Sequence, residues 1–180
     1  MTGVQTCALP ILDIKCKSFC SINDFVAGAD AGATVLALDG ITNPQNVGMI
    51  IRSAVAAGVS GLLYPAKGIA ALGPLVIKAS VGTIFRAPLI HCDELDTGLA
   101  TLKQAGFNIS ILDASAALSL FDYRPASRSV FVLGSESQGI SPDTRKLADN
   151  SVSIPMENGV ESLNVAVAAA LVAFHLAALR

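Results

Sequence analysis

The sequence predicts an α/β fold, a parallel sheet flanked by helices in one domain over residues 34–180, and three observations carry this. Short, continuously apolar runs such as Thr34-Val-Leu-Ala-Leu-Asp39 and Ser129-Val-Phe-Val-Leu133 have the pattern of strands covered on both faces. These runs alternate with segments of helical periodicity, the arrangement of βαβ units. Polar, glycine-containing clusters follow several of the runs, and open α/β sheets bind ligands outside the carboxyl ends of their strands.

The elements follow in order. Thr34–Asp39 is the first predicted strand. Loop 40–46 leads to an amphipathic helix from about Val47 to Ala57, stopped by Gly58. Val47, Ile50, Ile51, Ala54 and Val55 share one face of that helix. Arg52 lies about 120° from the centre of this face, which is expected to project it from the flank of the core into a cleft. Ser60–Tyr64 is a second strand, Gly73–Ser80 a short helix and Pro88–Cys92 a third strand. Asp93–Ala105 is a helix closed by Gly106, followed by strands over Phe107–Leu112 and Ser129–Leu133. Ser141–Ala148 is a helix with Pro142 in its tolerant first turn. Ser151–Ile154 is the sixth strand and Ser162–Leu179 the last helix. Residues 12–33 read as a linker or the remnant of a preceding domain.

The last helix is apolar on two sides. Val165, Ala168, Ala169, Val172, Leu176 and Leu179 form one face; Val167, Leu171, Phe174 and Ala178 form another nearly opposite. A helix of this kind is buried on both sides, so one face is expected to cover the sheet and the other to meet a second copy of the chain. It does not span a bilayer, because Val165–Leu179 falls short of the ~20 apolar residues required and contains His175.

Composition excludes further classes. With 52% hydrophobic and 14% charged residues, the chain is too apolar for intrinsic disorder. Its 12 Lys plus Arg against 14 Asp plus Glu lack the basic excess of many nucleic-acid binders, so global charge alone points away from such a partner. Residues 1–11 have neither the basic start nor the apolar core of a signal peptide. They back-translate to a sequence resembling a common sequencing adapter, so the expectation is that they are not part of the natural gene and that coding sequence is missing before residue 12. Without Cys7, Cys16, Cys20 and Cys92 read as reduced structural thiols of a cytoplasmic protein. Cys16-x-x-x-Cys20 lacks the spacing of a zinc half-site, and neither His91 nor His175 complements it, so no metal is expected.

Several chemistries lack their motif. No G-x-G-x-x-G follows a strand and no G-x-S-x-G occurs. Gly134-Ser-Glu-Ser-Gln-Gly139 has the glycine spacing of a P-loop, but Ile140 stands where the lysine is required. Three clusters remain: Asn43-Pro44-Gln45-Asn46-Val47-Gly48 with Arg52; Leu133-Gly134-Ser135-Glu136 with Gly139; and Ile154-Pro155-Met156 through Asn158-Gly159 to Ser162-Leu163-Asn164. Each has a structural reading as well, with Asn46 and Ser162 as helix caps and the glycines as turns. Three such clusters at strand ends in one small domain favour a site.

These clusters resemble the motifs of the SpoU/TrmH branch of the SPOUT RNA methyltransferases over about residues 34–180. Asn46-Val-Gly-Met-Ile-Ile-Arg52 matches the first motif, Leu133–Gly139 the second, and Ile154-Pro-Met156 with Ser162-Leu-Asn-Val165 the third; Lys78-Ala-Ser-Val-Gly82 is also similar. The resemblance implies a catalytic domain with a deep trefoil knot at the C-terminal end of the sheet, an exception to the rule against knots. It implies S-adenosylmethionine as donor, a ribose 2′-OH of tRNA or rRNA as acceptor, and a homodimer. It places the cofactor against Leu133, Gly134, Gly139, Ile154, Met156 and Leu163, where the glycines allow close backbone approach and the larger side chains form an apolar wall. It makes Arg52, Asn46, Glu136, Ser162 and Asn164 the catalytic set. Guanidinium groups stay protonated at neutral pH, so Arg52 either clamps a phosphate and orients the ribose or acts as a base in a special environment. A Glu136–Arg52 pair would orient the guanidinium. An inactive RNA-binding module and a base-methylating enzyme are the alternatives, and Ser162-Leu-Asn164 together with Arg52 favours ribose.

Overall fold

The computed structural model describes residues 19–180, with strands β1 (Phe19–Ser21), β2 (Thr34–Asp39), β3 (Gly61–Pro65), β4 (Leu89–Cys92), β5 (Asn108–Leu112), β6 (Ser129–Gly134) and β7 (Asn150–Val152). They form one sheet in the order β1-β4-β3-β2-β6-β5-β7, and every pairing is parallel. The helices are α1 (Ile22–Gly28), α2 (Pro44–Ala56), α3 (Pro74–Ala79), α4 (Leu95–Gln104), α5 (Pro142–Leu147) and α6 (Val165–Ala178), with a 3-10 turn over Thr83–Arg86. The expectations for residues 1–11 and for Cys7 and Cys16 lie outside the described residues. Among those described, no helix is long and apolar enough to cross a membrane.

The central strands read as unbroken apolar runs because both faces of the sheet are covered. Along β2, Leu36 and Leu38 point into a core shared with Ile50 and Ile51 of α2, Phe131 and Leu133 of β6, and Ala169 and Val172 of α6. Val35 and Ala37 point the other way, onto Val130 and Val132 of β6 and Leu99 and Leu102 of α4. Alternation along a strand therefore divides side chains between two cores rather than between core and water.

Differences from the sequence reading have local causes. No element was expected before Thr34, yet Phe19–Ser21 adds an edge strand beside β4, in register Phe19↔Leu89 to Ser21↔His91. Three residues are too few to show periodicity; pairing alone reveals the strand. α2 starts at Pro44, because Asn43 Oδ1 accepts hydrogen bonds from the Gln45 and Asn46 amides at 2.9 and 3.4 Å. The cap is thus Asn43, and Asn46 is left inside the first turn with its side chain buried. Likewise Asn164, not Ser162, caps α6 by accepting from Ala166 N at 3.0 Å. β7 stops at Val152 because Ser153 is taken up by Leu118–Leu120: Ser153 N donates to Leu118 O at 2.8 Å and Leu120 N to Ser153 O at 2.7 Å.

Candidate active site

The site is built where β2 and β6 end side by side, at the register Asp39↔Gly134. The loop after β6 folds back sharply. Ser135 O accepts from Gly139 N at 2.9 Å, and Gly139 holds a left-handed φ of 65°. At Gly134 a Cβ would lie 2.3 Å from the Gly139 carbonyl carbon and 2.6 Å from Ile140 N, so only a glycine lets the loop close. Asp39 Oδ2 ties down the far end by accepting from Ser141 N at 2.8 Å.

This turn places Glu136 opposite the start of α6. Its Oε1 accepts from Asn164 Nδ2 at 2.7 Å, Asn46 Nδ2 at 3.2 Å and Val165 N at 3.3 Å. Asn164 Nδ2 also donates to Asn46 Oδ1 at 3.0 Å, closing a triangle of three side chains from three distant segments. A carboxylate is well placed here, since the first amides of α6 lack intrahelical partners and the helix N-terminus attracts negative charge. Asn46 is almost fully buried, and both ends of its amide are satisfied within the triangle.

Two clefts meet at this triangle. All six residues expected to touch a cofactor (Leu133, Gly134, Gly139, Ile154, Met156 and Leu163) line the first, together with Glu136 and Ser162. The second lies between loop 40–43 and Ser135–Ser137, and Asn46 is in its wall. Ser135, Glu136 and Val165 belong to both, so the carboxylate stands on the partition. Sequence reasoning missed Leu112, Ala114 and Ala168 in the first cleft and Thr42, Asn43 and Ser137 in the second. Apart from Asn43 and Ser137, named only as parts of motifs, nothing local marks them; their places come from neighbouring strand ends and helix starts.

Arg52 is elsewhere. It is exposed on the outer stripe of α2 with Gln45, Met49 and Ala56, lines neither cleft, and makes no ion pair with Glu136. The expected projection into a cleft does not occur within one chain, because α3 and α6 pack against α2 and leave Arg52 on the stripe facing solvent. Among the described residues no cluster of His, Cys, Asp or Glu is arranged to hold a metal ion. Cys92 is buried, and burial, aided by Asp93 and Asp96, pushes its thiol up to about 11.

Comparison with known proteins gives concordant matches. The model of the SpoU rRNA methylase family matches residues 33–174. A Staphylococcus saprophyticus protein assigned to the TrmH family of tRNA/rRNA methyltransferases is 37% identical over 150 residues, covering 82% of this chain; the chain spans 59% of that relative's length. The SpoU methyltransferase AviRb from Streptomyces viridochromogenes, solved with AdoMet, superposes with a TM-score of 0.76 at 27% identity, over 86% of this chain and 63% of its own. A solved RNA 2′-O ribose methyltransferase gives a TM-score of 0.71 at 28% identity, over 83% of this chain and 57% of its own. With three ordered motifs gathered at the ends of a parallel sheet and a family model spanning most of the chain, this protein belongs to the SpoU rRNA methylase family.

Proposed function

We propose that this chain is the catalytic part of an S-adenosylmethionine-dependent methyltransferase that modifies a ribose 2′-OH of tRNA or rRNA in the cytoplasm. One observation carries the reading: the apolar cleft lined by Leu133, Gly134, Ile154, Met156 and Leu163 shares the Glu136 partition with a second, more polar cleft. A donor on one side and an acceptor on the other would meet at that partition. The relatives solved with AdoMet and as an RNA 2′-O ribose methyltransferase support the same assignment.

The first cleft fits the donor. Gly134 and Gly139 bring bare backbone to its edge, and Leu133, Ile154, Met156 and Leu163 wall it with carbon. S-adenosylmethionine, when bound, supplies a methyl group on a sulfonium. The apolar wall solvates that cation poorly, and its charge is what the transfer removes. Asn46, Asn164 and Glu136 hold one another fixed, and the Ser162 hydroxyl in the cleft is free to orient an acceptor hydroxyl. Arg52, exposed and unpaired, suits a phosphate clamp beside the ribose better than a buried base.

Two structural expectations belong to the same proposal. α6 returns from the β7 edge to pack on α2, β2 and β6, a path that supports the deep trefoil knot implied by the motifs. The outward face of α6, with Val167 and Phe174 about half exposed beside Phe121, supports a homodimer through this helix. The test is nucleoside mass spectrometry of unmodified tRNA and rRNA transcripts incubated with the protein and methyl-labelled S-adenosylmethionine. Labelled 2′-O-methylnucleosides are expected. Label on a base would establish the base-methylating alternative, and cofactor binding without transfer to either RNA the inactive module.

A further inference from the structure

The charges of this chain are sorted along its sequence and in space. Residues 40–92 contain Arg52, Lys67, Lys78 and Arg86 and not one Asp or Glu. In the structure Lys67 is paired with Glu94 at 3.0 Å, whereas Arg52, Lys78 and Arg86 are exposed and have no hydrogen bond or ion pair. Every other described Lys or Arg has a partner. Lys103, Arg145 and Lys146 pair with Asp149, Asp113 and Asp143, while Arg124, Arg128 and Arg180 bind backbone carbonyls. Among the described residues the free cations are thus confined to one place.

That place is a group of three elements packed together. Arg52 is on α2, Lys78 in the last turn of α3 and Arg86 at the end of the 3-10 turn, and α2 packs against both other elements. The α2–α3 crossing is close: a Cβ on Gly48 would sit 2.5 Å from Ala79 Cβ, next to Lys78. Arg52 follows Gly48 by one turn, about 6 Å along α2, and lies about 9 Å along the same helix from Asn46 of the site. The helices of the opposite face carry charges of both signs, Asp24 on α1, Asp96 and Lys103 on α4, and Asp143, Arg145 and Lys146 on α5. Helix-end dipoles account for Lys78 and Arg86 one at a time, since each ends its element. They do not account for the lack of any carboxylate across 40–92, where neighbouring acids would ordinarily neutralise such charges.

We propose that Arg52, Lys78 and Arg86 form a track that takes consecutive phosphates of an RNA backbone and leads the strand to the clefts at Glu136. The inference rests on the reading of the chain as an RNA methyltransferase and adds to it the surface by which this domain holds its substrate. Unpaired cations on a stretch of chain that carries no Asp or Glu bind a polyanion by releasing its counterions, with little regard to sequence.

The test is the affinity of the 180-residue chain for a labelled stem–loop RNA as a function of salt, in the wild type and in Lys78→Gln/Arg86→Gln. Neither residue is in the catalytic set. The double variant is expected to bind roughly tenfold more weakly at low salt, and its log K against log salt to be shallower by about 1.4–1.8, from about 0.7–0.9 for each of two lost phosphate contacts. Affinity for S-adenosylmethionine and thermal midpoint are expected to stay at wild-type values. Lys103→Gln/Lys146→Gln, on the opposite face, is the control and leaves the slope unchanged. An unchanged slope in the Lys78/Arg86 variant, or no RNA binding by the wild type at low salt, overturns the track. RNA binding with the predicted slope but no methylated ribose would instead overturn the functional reading and leave the track standing.

Discussion

At the scale of single residues the site depends on one oxygen. Glu136 Oε1 collects donors from Asn46, Asn164 and the Val165 amide, so its removal leaves the buried Asn46 amide and the start of α6 without an acceptor. Glu136→Ala is expected to lower kcat for methyl transfer about 100-fold, in the range for losing one preorganised polar group. It should change S-adenosylmethionine affinity less than about threefold, because the apolar wall of the first cleft is untouched. Steady-state kinetics with calorimetric cofactor titration checks both halves; an equal loss in each would make Glu136 a cofactor ligand. A second residue-scale expectation concerns Cys92. Burial is the main cause that raises its thiol to about 11, with Asp93 and Asp96 adding to it. A raised thiol pKa keeps the unreactive protonated form at pH 8. Peptide mapping after iodoacetamide treatment at pH 8 should show Cys92 modified at least about tenfold more slowly in the native chain than in urea.

At the scale of elements, the decisive contact is the crossing of α2 and α3. Gly48 has Val76 O at 2.8 Å and Ser80 N at 2.9 Å from where its Cβ would be, so neither side of the contact can yield by rotating a side chain. Gly48→Ala is expected to destabilise the chain by about 1–3 kcal/mol despite the better helix propensity of alanine. Urea unfolding followed by circular dichroism measures it, and a stabilised variant would mean that α3 moves freely on α2. Some of this scale was readable beforehand. The strands over Thr34–Asp39 and Ser129–Gly134 announce themselves because burial on both faces leaves no polar position between their ends. The caps at Asn43 and Asn164 did not, because Asn43 and Asn46 before α2, like Ser162 and Asn164 before α6, are all acceptable cap residues and only backbone geometry chooses within each pair. β1 was illegible for a different reason, since a three-residue edge strand exists through its neighbour β4.

At the scale of the whole molecule, two faces of α6 have different fates. Ala169, Val172 and Leu176 are buried against α2 and the sheet, while Val167 and Phe174 are 49% and 52% exposed in the single chain. Apolar surface of that kind, next to Phe121, calls for a cover. In the homodimer proposed above, Val167→Glu/Phe174→Glu removes two anchors of about 1 kcal/mol each from both protomers, about 4 kcal/mol in all, and so weakens self-association about a thousandfold. Analytical ultracentrifugation is expected to find a wild-type dimer and a monomeric variant; a monomeric wild type at micromolar concentration refutes the dimer. The net charge of −2 also reads differently at this scale. It averages residues 40–92, which carry cations and no Asp or Glu, with the mixed and acidic remainder of the chain, and a partner responds to the local field rather than to the sum.

The amino-acid sequence by itself determined the alternation of buried strands and helices and the three motif clusters that supply six residues of the apolar cleft, because each of these is written in neighbouring positions. Tertiary structure alone decided that Asn46, Glu136 and Asn164, up to 118 residues apart, share one hydrogen-bonded triangle. It alone decided that Arg52 stands apart from that triangle, on a helix packed against the elements that carry Lys78 and Arg86. The physical reason is the same in each case. Helical and strand periodicity are short-range consequences of backbone geometry, whereas the meeting of strand ends and helix starts depends on how the sheet is ordered and which helices cover it.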